Sequence, residues 1–377
     1  MRGDTIGIGF IGYGWIARAH AHALHTLNHL RPLGKRVRLV SIAGRTRPRV
    51  EAAAQELGFE RSVTRWEDVV ADDEVDAVAV VAANEVHAGA SLAALEAGKG
   101  VLCEKPLATN AREARSLAAA ADAAGVTHAC GFNYRYVPAI RLARDLLRSQ
   151  RLGAIRHVRA LYLQDWASAP ASTRPSHGGA DAVLDYSHLV DLLRHLAAEP
   201  LSVSAYAAAF VSAKEDAYVA AAELPGGALA SLEASRCATG WKGLQRIEVD
   251  GTEGSVWWSM EDLNRLHVFL VDDERRGLGG FRDVLVTQPE HPFLAEWWPP
   301  GHVLGWDATF VHEWRDFLAA FVENRPVSRD QASFADGYEA AVLCDAILTS
   351  ARERRRVEIE EAREASSTPN LDRGGKG

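Results

Sequence analysis

Ile6-Gly-Ile-Gly-Phe-Ile-Gly12-Tyr-Gly14-Trp-Ile-Ala17 is the stretch of sequence that decides the fold. It joins an apolar strand to a helix through the pattern G-x-G-x-x-A, which is typical of dinucleotide-binding turns. The first glycine permits a tight turn, the second lets the backbone approach a pyrophosphate, and the small third residue lets helix and strand pack closely. The alternative is that the glycines serve only the turn. The cofactor-binding residues that we predict here are Gly12, Gly14, Trp15 and Ile16.

From this turn to residue 130, short β-branched runs alternate with Ala-rich stretches, which predicts a doubly wound parallel sheet. The expected strands are 5–11, 37–43, 75–82, 100–103 and 126–130, and the expected helices are 15–30, 48–57, 85–97 and 111–124. Residues 1–130 are therefore predicted to form a dinucleotide-binding Rossmann domain.

The pattern changes after Leu152-Gly153, where strand-like segments follow one another as far as residue 271. A helix at 182–196 interrupts them, and helices at 307–322 and 332–351 follow. This order predicts an α+β domain over 131–361, with a large, mostly antiparallel open sheet, for substrate binding and oligomerisation. Its last helices can pack back on the first domain. Residues 362–377, rich in Ser, Gly and charge, are predicted to be a disordered tail.

Composition excludes several classes of protein. The 377 residues are 47% hydrophobic and 24% charged, with a formal net charge of −8, so disordered and disulfide-rich classes do not fit. The net negative charge does not indicate a basic surface for nucleic acid, and no apolar run is long enough to span a membrane. Four scattered cysteines and no leader-like start predict a cytoplasmic protein. We expect a homo-oligomer, a dimer or tetramer, because one face of the second sheet needs cover.

The end of the second strand indicates which nicotinamide cofactor binds. An acidic residue here would bind the ribose 2′-OH of NAD, but the sequence reads Gly44-Arg45-Thr46-Arg47. Arginine binds phosphate through paired charge-assisted hydrogen bonds, so Gly44, Arg45 and Thr46 predict NADP, with NAD as the second choice. The alternative is that the two arginines are a solvated start to the next helix.

Further motifs carry a family resemblance. They are Ala83-Asn84-Glu-Val-His87, Glu104-Lys105-Pro106, Gly131-Phe-Asn133-Tyr-Arg135-Tyr136 and Gly179-Ala-Asp-Ala-Val-Leu-Asp185-Tyr-Ser-His188. Together with the first turn they resemble the glucose-fructose oxidoreductase, inositol dehydrogenase and rhizopine-catabolism family, called Gfo/Idh/MocA, over about residues 5–360.

The resemblance implies an NAD(P)-dependent oxidoreductase that moves a hydride between the nicotinamide and a ring hydroxyl or ketone of a sugar or cyclitol. Lys105 would bind the reacting oxygen and His188 would give or take its proton, with Asp185 as the third catalytic residue. Histidine suits this work because its ordinary pKa lies near neutrality. The implied cofactor contacts are Ala83, Asn84, His87, Glu104, Lys105 and Arg135. The expected substrate contacts are Lys105, Tyr136, Trp166, Asp185 and His188.

The last motif departs from the family pattern. Many members place Asp and His four residues apart, whereas Asp185 and His188 are three apart. Both spacings put the pair on one face of a helix, but they leave open which of Asp185, Tyr186 and His188 meets the substrate. Asp191 either fixes the tautomer of His188 or is a solvated helix residue.

The segment before this helix predicts a sugar site. Asp165, Trp166, Arg174 and His177 combine hydrogen-bonding groups with an aromatic face, although an exposed loop would also be polar. A metal site is not expected, although one is conceivable on Asp181, Asp185, His188, Asp191 and His195, or on the histidines of the first helix. The competing functions are a non-catalytic NAD(P)-binding sensor and an enzyme that uses a tightly bound cofactor for internal redox elimination.

Overall fold

The computed structural model describes residues 3–30, 33–168, 182–211 and 213–367. The first part of the chain forms the predicted doubly wound sheet, a six-stranded sheet whose paired strands are all parallel, in the order β3-β2-β1-β4-β5-β6. Its strands are β1 Thr5–Ile11, β2 Arg36–Ala43, β3 Arg61–Val63, β4 Ala77–Val80, β5 Gly100–Glu104 and β6 His128–Gly131. Its helices are α1 Trp15–Leu30, α2 Arg47–Leu57, α3 Glu67–Val70, α4 Asn84–Glu96 and α5 Ala111–Ala124.

The strand order reverses between β1 and β4, which makes the turn after β1 the point where ligands of such sheets bind. Capping residues set the ends of the surrounding helices. The Asn110 side chain accepts a hydrogen bond from the Glu113 N–H at the start of α5, and Gly125 ends that helix with φ of 62°. The positive φ is easily adopted only by glycine, so the chain turns there toward β6.

The second sheet has nine strands in the order β14-β13-β12-β11-β7-β10-β9-β8-β15. Its neighbours pair antiparallel except for β7 and β10, so the prediction of a mostly antiparallel sheet is confirmed. The strands are β7 Ile155–Leu163, β8 Ser202–Ala208, β9 Ala217–Glu223, β10 Leu229–Ser235, β11 Leu244–Gly251, β12 Gly254–Ser259, β13 Arg265–Leu270, β14 Arg282–Leu285 and β15 Val357–Glu358. The helices of this half are α6 Pro138–Arg148, α7 Ala182–Asp185, α8 Ser187–Leu196, α9 Val271–Arg275, α10 Ala308–Val322, α11 Phe334–Glu353 and α12 Ile359–Ser367.

Helices α8 and α11 pack on one face of this sheet. Burial therefore alternates along β9 and β10, with every second residue turned away from the helices. On the opposite face, Tyr206 and Val219 lie side by side on β8 and β9 and are 74% and 51% exposed. An apolar pair of this kind is unusual on a surface that faces only water.

Helix α10 belongs to the second half of the sequence but packs against the first domain. Phe310, Trp314 and Phe317 share a buried cluster with Ile8 and Phe10 of β1. The chain thus returns to the Rossmann sheet after β14, before β15 adds the last strand to the second sheet, and α10 lies beside α1.

Two expectations from the sequence are corrected. The helix expected over 182–196 is broken at Tyr186 into α7 and α8. The tail expected to be disordered from residue 362 is helical as far as Ser367, because Arg363 pairs with Glu339 and Glu360. Residues 368–377 lie outside the described residues. Within the described part of the chain, no helix is both long and apolar enough to cross a bilayer.

Candidate active site

A cleft of about 270 Å³ opens between the carboxyl ends of the first sheet's strands and the second domain. The first domain contributes one wall, and the residues after β6 together with the second domain contribute the other. The predicted residues that line it are Trp15, Ile16, Ala83, Asn84, Glu104, Lys105, Trp166, Asp185 and His188. The structure thus gathers into one cleft residues that are more than 170 positions apart in the chain.

The turn after β1 is shaped as a cradle for a diphosphate. Gly12 has φ of 110°, and a Cβ there would collide with the backbone of Val81 and Ala82. At Gly14 the space in front of the backbone is open, so nothing in the described chain requires glycine there. Ala17 is buried against the sheet, and the first turn of α1 carries no acidic residue. Free N–H groups at such a helix start favour an anion.

The end of β2 presents exposed basic residues beside this cradle. Arg45, Thr46 and Arg47 are exposed, and Thr46 precedes α2 without using its side chain as a cap. Arg47 is within 3.6 Å of Glu51, whereas no ion pair of Arg45 is recorded in the described part of the chain. A Cβ at Gly44 would collide with the Tyr13 ring. The absence of an acid at position 44 therefore also has a packing cause.

Lys105 is fixed by one residue of the second domain, Asp185. Its Nζ donates hydrogen bonds to the Asp185 carbonyl oxygen at 2.7 Å and to Asp185 Oδ1 at 3.5 Å. The lysine side chain is 20% exposed at the cleft. Since an ammonium group carries three donors, one N–H remains for a ligand oxygen.

A buried hydrogen-bonded chain supports Lys105 from behind. The Lys105 N–H donates to Glu104 Oε2 at 3.0 Å, and Glu104 Oε1 lies 2.9 Å from His20 Nε2. Trp314 Nε1 donates to His20 Nδ1 at 2.9 Å. Because the indole can only donate, His20 Nδ1 must accept and His20 Nε2 donates to Glu104. The sequence analysis considered the histidines of the first helix as conceivable metal ligands and missed this role of His20.

His188 lies in an aromatic pocket on the opposite wall. The edges and faces of Phe132 and Tyr134 enclose its ring, with centroid distances of 5.8 and 4.6 Å. Its Nδ1 is buried and has no partner among the described residues. Burial, and then the nearby Lys105 charge, lower the pKa of His188 well below its ordinary value. His188 is therefore a neutral imidazole at neutral pH, able to accept a proton.

Asp191 serves neither of the two roles considered for it. It is buried and accepts hydrogen bonds from Arg135 Nε and Nη2, and Arg135 Nη2 also donates to Asp336. Arg135 was expected to bind the cofactor, but this network holds it away from the cleft. The reason is local: in the short turn Asn133–Tyr136, Asn133 and Tyr134 face the cleft and Arg135 faces α8.

Other predicted residues also lie outside the cleft lining. Tyr136 is buried, with its carbonyl oxygen accepting from His312 Nδ1 at 3.0 Å. His87 is buried beneath the cleft, with Nδ1 2.7 Å from the Pro106 carbonyl oxygen and Nε2 3.2 Å from that of Ala82. Asp165 binds Lys242 and the Gly240 N–H instead of facing the cleft. Arg174, His177 and Asp181 lie outside the described residues.

The substrate side is more aromatic than the sequence predicted. Tyr134, Tyr162, Trp306 and Phe310 line the cleft with Trp166, and Trp15 stacks on Trp306 at a centroid distance of 5.9 Å. Gln164 Oε1 accepts from Trp166 Nε1 at 3.1 Å and from the Tyr186 hydroxyl at 3.2 Å. Tyr186, which also lines the cleft, therefore helps to fix Gln164. The abundance of tryptophan in this half of the sequence was the one available signal.

Several of the histidines and acids considered as metal ligands have other partners. His22 lies 3.1 Å from Asp307 Oδ2, and His25 bonds the Leu57 carbonyl oxygen. Among the described residues there is no group of three or more His, Cys, Asp or Glu side chains that could hold a metal ion.

Known proteins share both the sequence pattern and the fold. The model of the GFO/IDH/MocA oxidoreductase family with an NAD-binding Rossmann fold matches residues 6–132, and that of the family's C-terminal domain matches 140–257. Levoglucosan dehydrogenase of Pseudarthrobacter phenanthrenivorans is 30% identical over 94% of this chain and 98% of its own length.

Two solved structures each align over 94% of this chain and 99% of their own length. An oxidoreductase domain protein from Kribbella flavida superimposes with a TM-score of 0.89 at 39% identity. A levoglucosan dehydrogenase in complex with NADH and L-sorbose superimposes with a TM-score of 0.90 at 32% identity. The chain therefore belongs to the GFO/IDH/MocA family and is an NAD(P)-dependent oxidoreductase.

Proposed function

We propose that this protein oxidises a ring hydroxyl of a sugar or cyclitol, or reduces the matching ketone, with NADP as the preferred cofactor. The observation that carries the proposal is the pairing of Lys105 and His188 across one aromatic-walled cleft that opens beside the cradle after β1. A protein that only sensed the cofactor would have no use for both proton-handling groups.

The residues present fit a dinucleotide. Gly12 leaves no room for a side chain, Gly14 leaves open space, and the first turn of α1 carries no acidic residue. When bound, the nicotinamide supplies the hydride acceptor or donor. Ala83 and Asn84 at the start of α4 and Glu104 at the end of β5 are the cleft residues that would contact it.

Lys105 and His188 divide the work on the reacting oxygen. The free N–H of the Lys105 ammonium donates to that oxygen and stabilises the negative charge that develops on it. In the direction of oxidation, neutral His188 accepts the hydroxyl proton as the C–H hydride departs, and in reduction it returns the proton. Asp185 positions Lys105 through its carbonyl and carboxylate oxygens.

The cleft wall favours a ring compound with hydroxyl groups. Trp166 and Trp306 offer aromatic faces of the kind that pack on the C–H face of a sugar, and Gln164 offers an amide beside them. The relative named levoglucosan dehydrogenase and the structure with L-sorbose support the same substrate class for this chain.

NADP preference rests on Arg45 and Thr46. Both are exposed at the end of β2, where a 2′-phosphate would lie, and the adjoining Gly44 carries no carboxylate to repel it. The solved relative is in complex with NADH, which lacks this phosphate, and direct titration of both cofactors measures the preference of this chain.

We also propose that the protein is a homo-oligomer that buries the open face of the nine-stranded sheet. The exposed Tyr206 and Val219 pair on that face supports this. Replacing Val219 by Asp should shift the mass measured by light scattering toward the monomer, while Thr252→Asp on a turn should not.

The proposed activity is tested by following NADPH and NADH absorbance against sugars, cyclitols and linear alcohols. Ring polyols should give kcat/KM values far above those of linear alcohols, because a site that hydrogen-bonds hydroxyls discriminates by up to about 10⁴-fold. Comparable kcat/KM values for a linear alcohol and every ring polyol would contradict a carbohydrate site. Cofactor that copurifies with the protein and does not exchange would favour internal redox elimination.

A further inference from the structure

A second cavity, of about 530 Å³, lies in the second domain and shares no lining residue with the cleft. It is enclosed by the last turns of α6 and α8 and by the turn between β9 and β10. Arg144, Arg148, Arg194 and His195 line it, and none of its lining residues, all of which the structure describes, is acidic. A concave surface with cations and no carboxylate is suited to an anion.

The arginines of α6 carry more positive charge than their partners neutralise. Arg144 Nε and Arg148 Nη1 both donate to Asp330 Oδ1, at 3.2 and 2.8 Å. Arg141 Nη2 reaches Asp330 Oδ2 at 2.7 Å, and its Nε donates to Asp145 Oδ1 at 3.3 Å. Two carboxylates therefore serve three guanidinium groups, and each of these groups has five donors. Arg144 and Arg148 line the cavity and use only part of their donors on Asp330.

His195 lies in the cavity wall without presenting a ring nitrogen to it. The residue is 4% exposed, and both ring nitrogens are buried and have no hydrogen-bond partner among the described residues. The charged donors that the cavity offers to a ligand are therefore the arginines.

The electrostatic setting agrees with this geometry. Burial, followed by the charges of Arg135, Arg144, Arg141 and Arg148, lowers the pKa of His195 well below its ordinary value. Arg194 adds less, because its guanidinium already binds Glu199 and the Asp336 carbonyl oxygen. His195 is therefore neutral, and Arg144 and Arg148 carry the positive charge at the cavity.

We propose that this cavity binds a tetrahedral oxyanion, either inorganic phosphate or the phosphate group of a small ester. Arg144 and Arg148 would donate charge-assisted hydrogen bonds to it. The site lies apart from the redox cleft and does not depend on the substrate proposed for that cleft.

The test is calorimetric titration of inorganic phosphate into the full-length protein, with chloride holding the ionic strength constant. The protein is first saturated with nicotinamide cofactor, so that phosphate cannot occupy the cradle after β1. We expect saturable binding that Arg144→Gln weakens by roughly tenfold or more. Arg141→Gln is the matched control, because Arg141 shares Asp330 but does not line the cavity.

Arg148→Gln provides a second variant, since Arg148 is 45% exposed and its loss should leave the fold intact. A parallel titration with glycerol 3-phosphate distinguishes the two sources of the anion: tighter binding than inorganic phosphate identifies an ester, and equal or weaker binding identifies the free ion. Absence of saturable binding above the chloride control would overturn the proposal. Binding that survives both Arg144→Gln and Arg148→Gln would overturn it as well.

Discussion

On the first-domain side of the cleft, Lys105 is held by hydrogen bonds, whereas on the opposite side His188 is held by aromatic rings. Lys105 donates to Asp185, and its backbone is tied through Glu104 and His20 to Trp314. His188 is enclosed by Phe132 and Tyr134, and its Nδ1 has no hydrogen-bond partner in the part of the chain that the structure describes.

This difference explains how two proton-handling groups can share one reacting oxygen. Carbonyl and carboxylate oxygens around Lys105 stabilise an ammonium, so this group remains a donor. The apolar pocket around His188 disfavours its charged form, so this group remains an acceptor. The two sides therefore differ in charge because they differ in what surrounds them.

The largest expected effect comes from removing either group. Lys105→Met keeps the aliphatic stem, and His188→Phe keeps a ring between Phe132 and Tyr134. Each should lower kcat by about 100-fold or more with cofactor affinity nearly unchanged, because each removes proton handling and not the cradle. Steady-state kinetics and cofactor titration by fluorescence measure both quantities.

The matched control for the lysine is Lys99→Met. Lys99 also donates to backbone carbonyl oxygens, those of Asp72 and Val75, but does not line the cleft. Its loss should leave kcat unchanged. Turnover like that of the wild type in Lys105→Met or in His188→Phe would remove that residue from the mechanism.

The same comparison shows what could be predicted from the sequence. The turn after β1 is one continuous stretch of sequence, and so is the Glu104-Lys105-Pro106 motif. The position of each at the end of a strand could therefore be predicted from the local pattern. Trp314 and His20 are 294 residues apart, and nothing in either neighbourhood predicts their contact. Arg135 was misplaced because a motif does not show which side of a short turn each residue faces.

The next largest effect concerns cofactor choice on the first-domain side. Arg45→Ala should weaken NADP binding by roughly tenfold or more and leave NAD binding unchanged, because it removes charge-assisted hydrogen bonds to the 2′-phosphate only. Arg49→Ala, an exposed arginine of α2, is the control. Equal or tighter binding of NAD than of NADP by the wild type would contradict the preference.

A smaller effect distinguishes the two causes that lower the pKa of His188, its burial and the charge of Lys105. Its lowered pKa predicts that kcat/KM for oxidation keeps its plateau below pH 6.5, since the imidazole stays unprotonated there. In Lys105→Met the pKa should move up toward 6.5 but remain below it, because burial is the larger cause and persists. NMR titration of the imidazole, assigned with His188→Phe, measures both. A His188 pKa at or above 6.5 in the wild type would contradict the neutral pocket.

The smallest effect tests whether the hydrogen bonds of His87 stabilise the first-domain residues beneath the cleft. His87 joins the residues after β4 and β5 through the Ala82 and Pro106 carbonyl oxygens, and two carbonyl acceptors require both of its nitrogens to be protonated. Burial alone would lower the pKa of His87, but Cys103 and these two carbonyl oxygens outweigh it and raise the pKa to about 9. A raised folded-state pKa stabilises the protein fully below pH 6.5, and that stability is lost as the pH rises through about 9.

The free energy of unfolding from denaturant titrations at several pH values should therefore fall between pH 6.5 and about 9 in the wild type. His87→Gln should flatten the fall, since glutamine does not titrate, and Cys103→Ser should reduce it only in part, since both carbonyl oxygens remain. An equally steep fall in His87→Gln would show that another group titrates and that the imidazolium does not hold the two loops together.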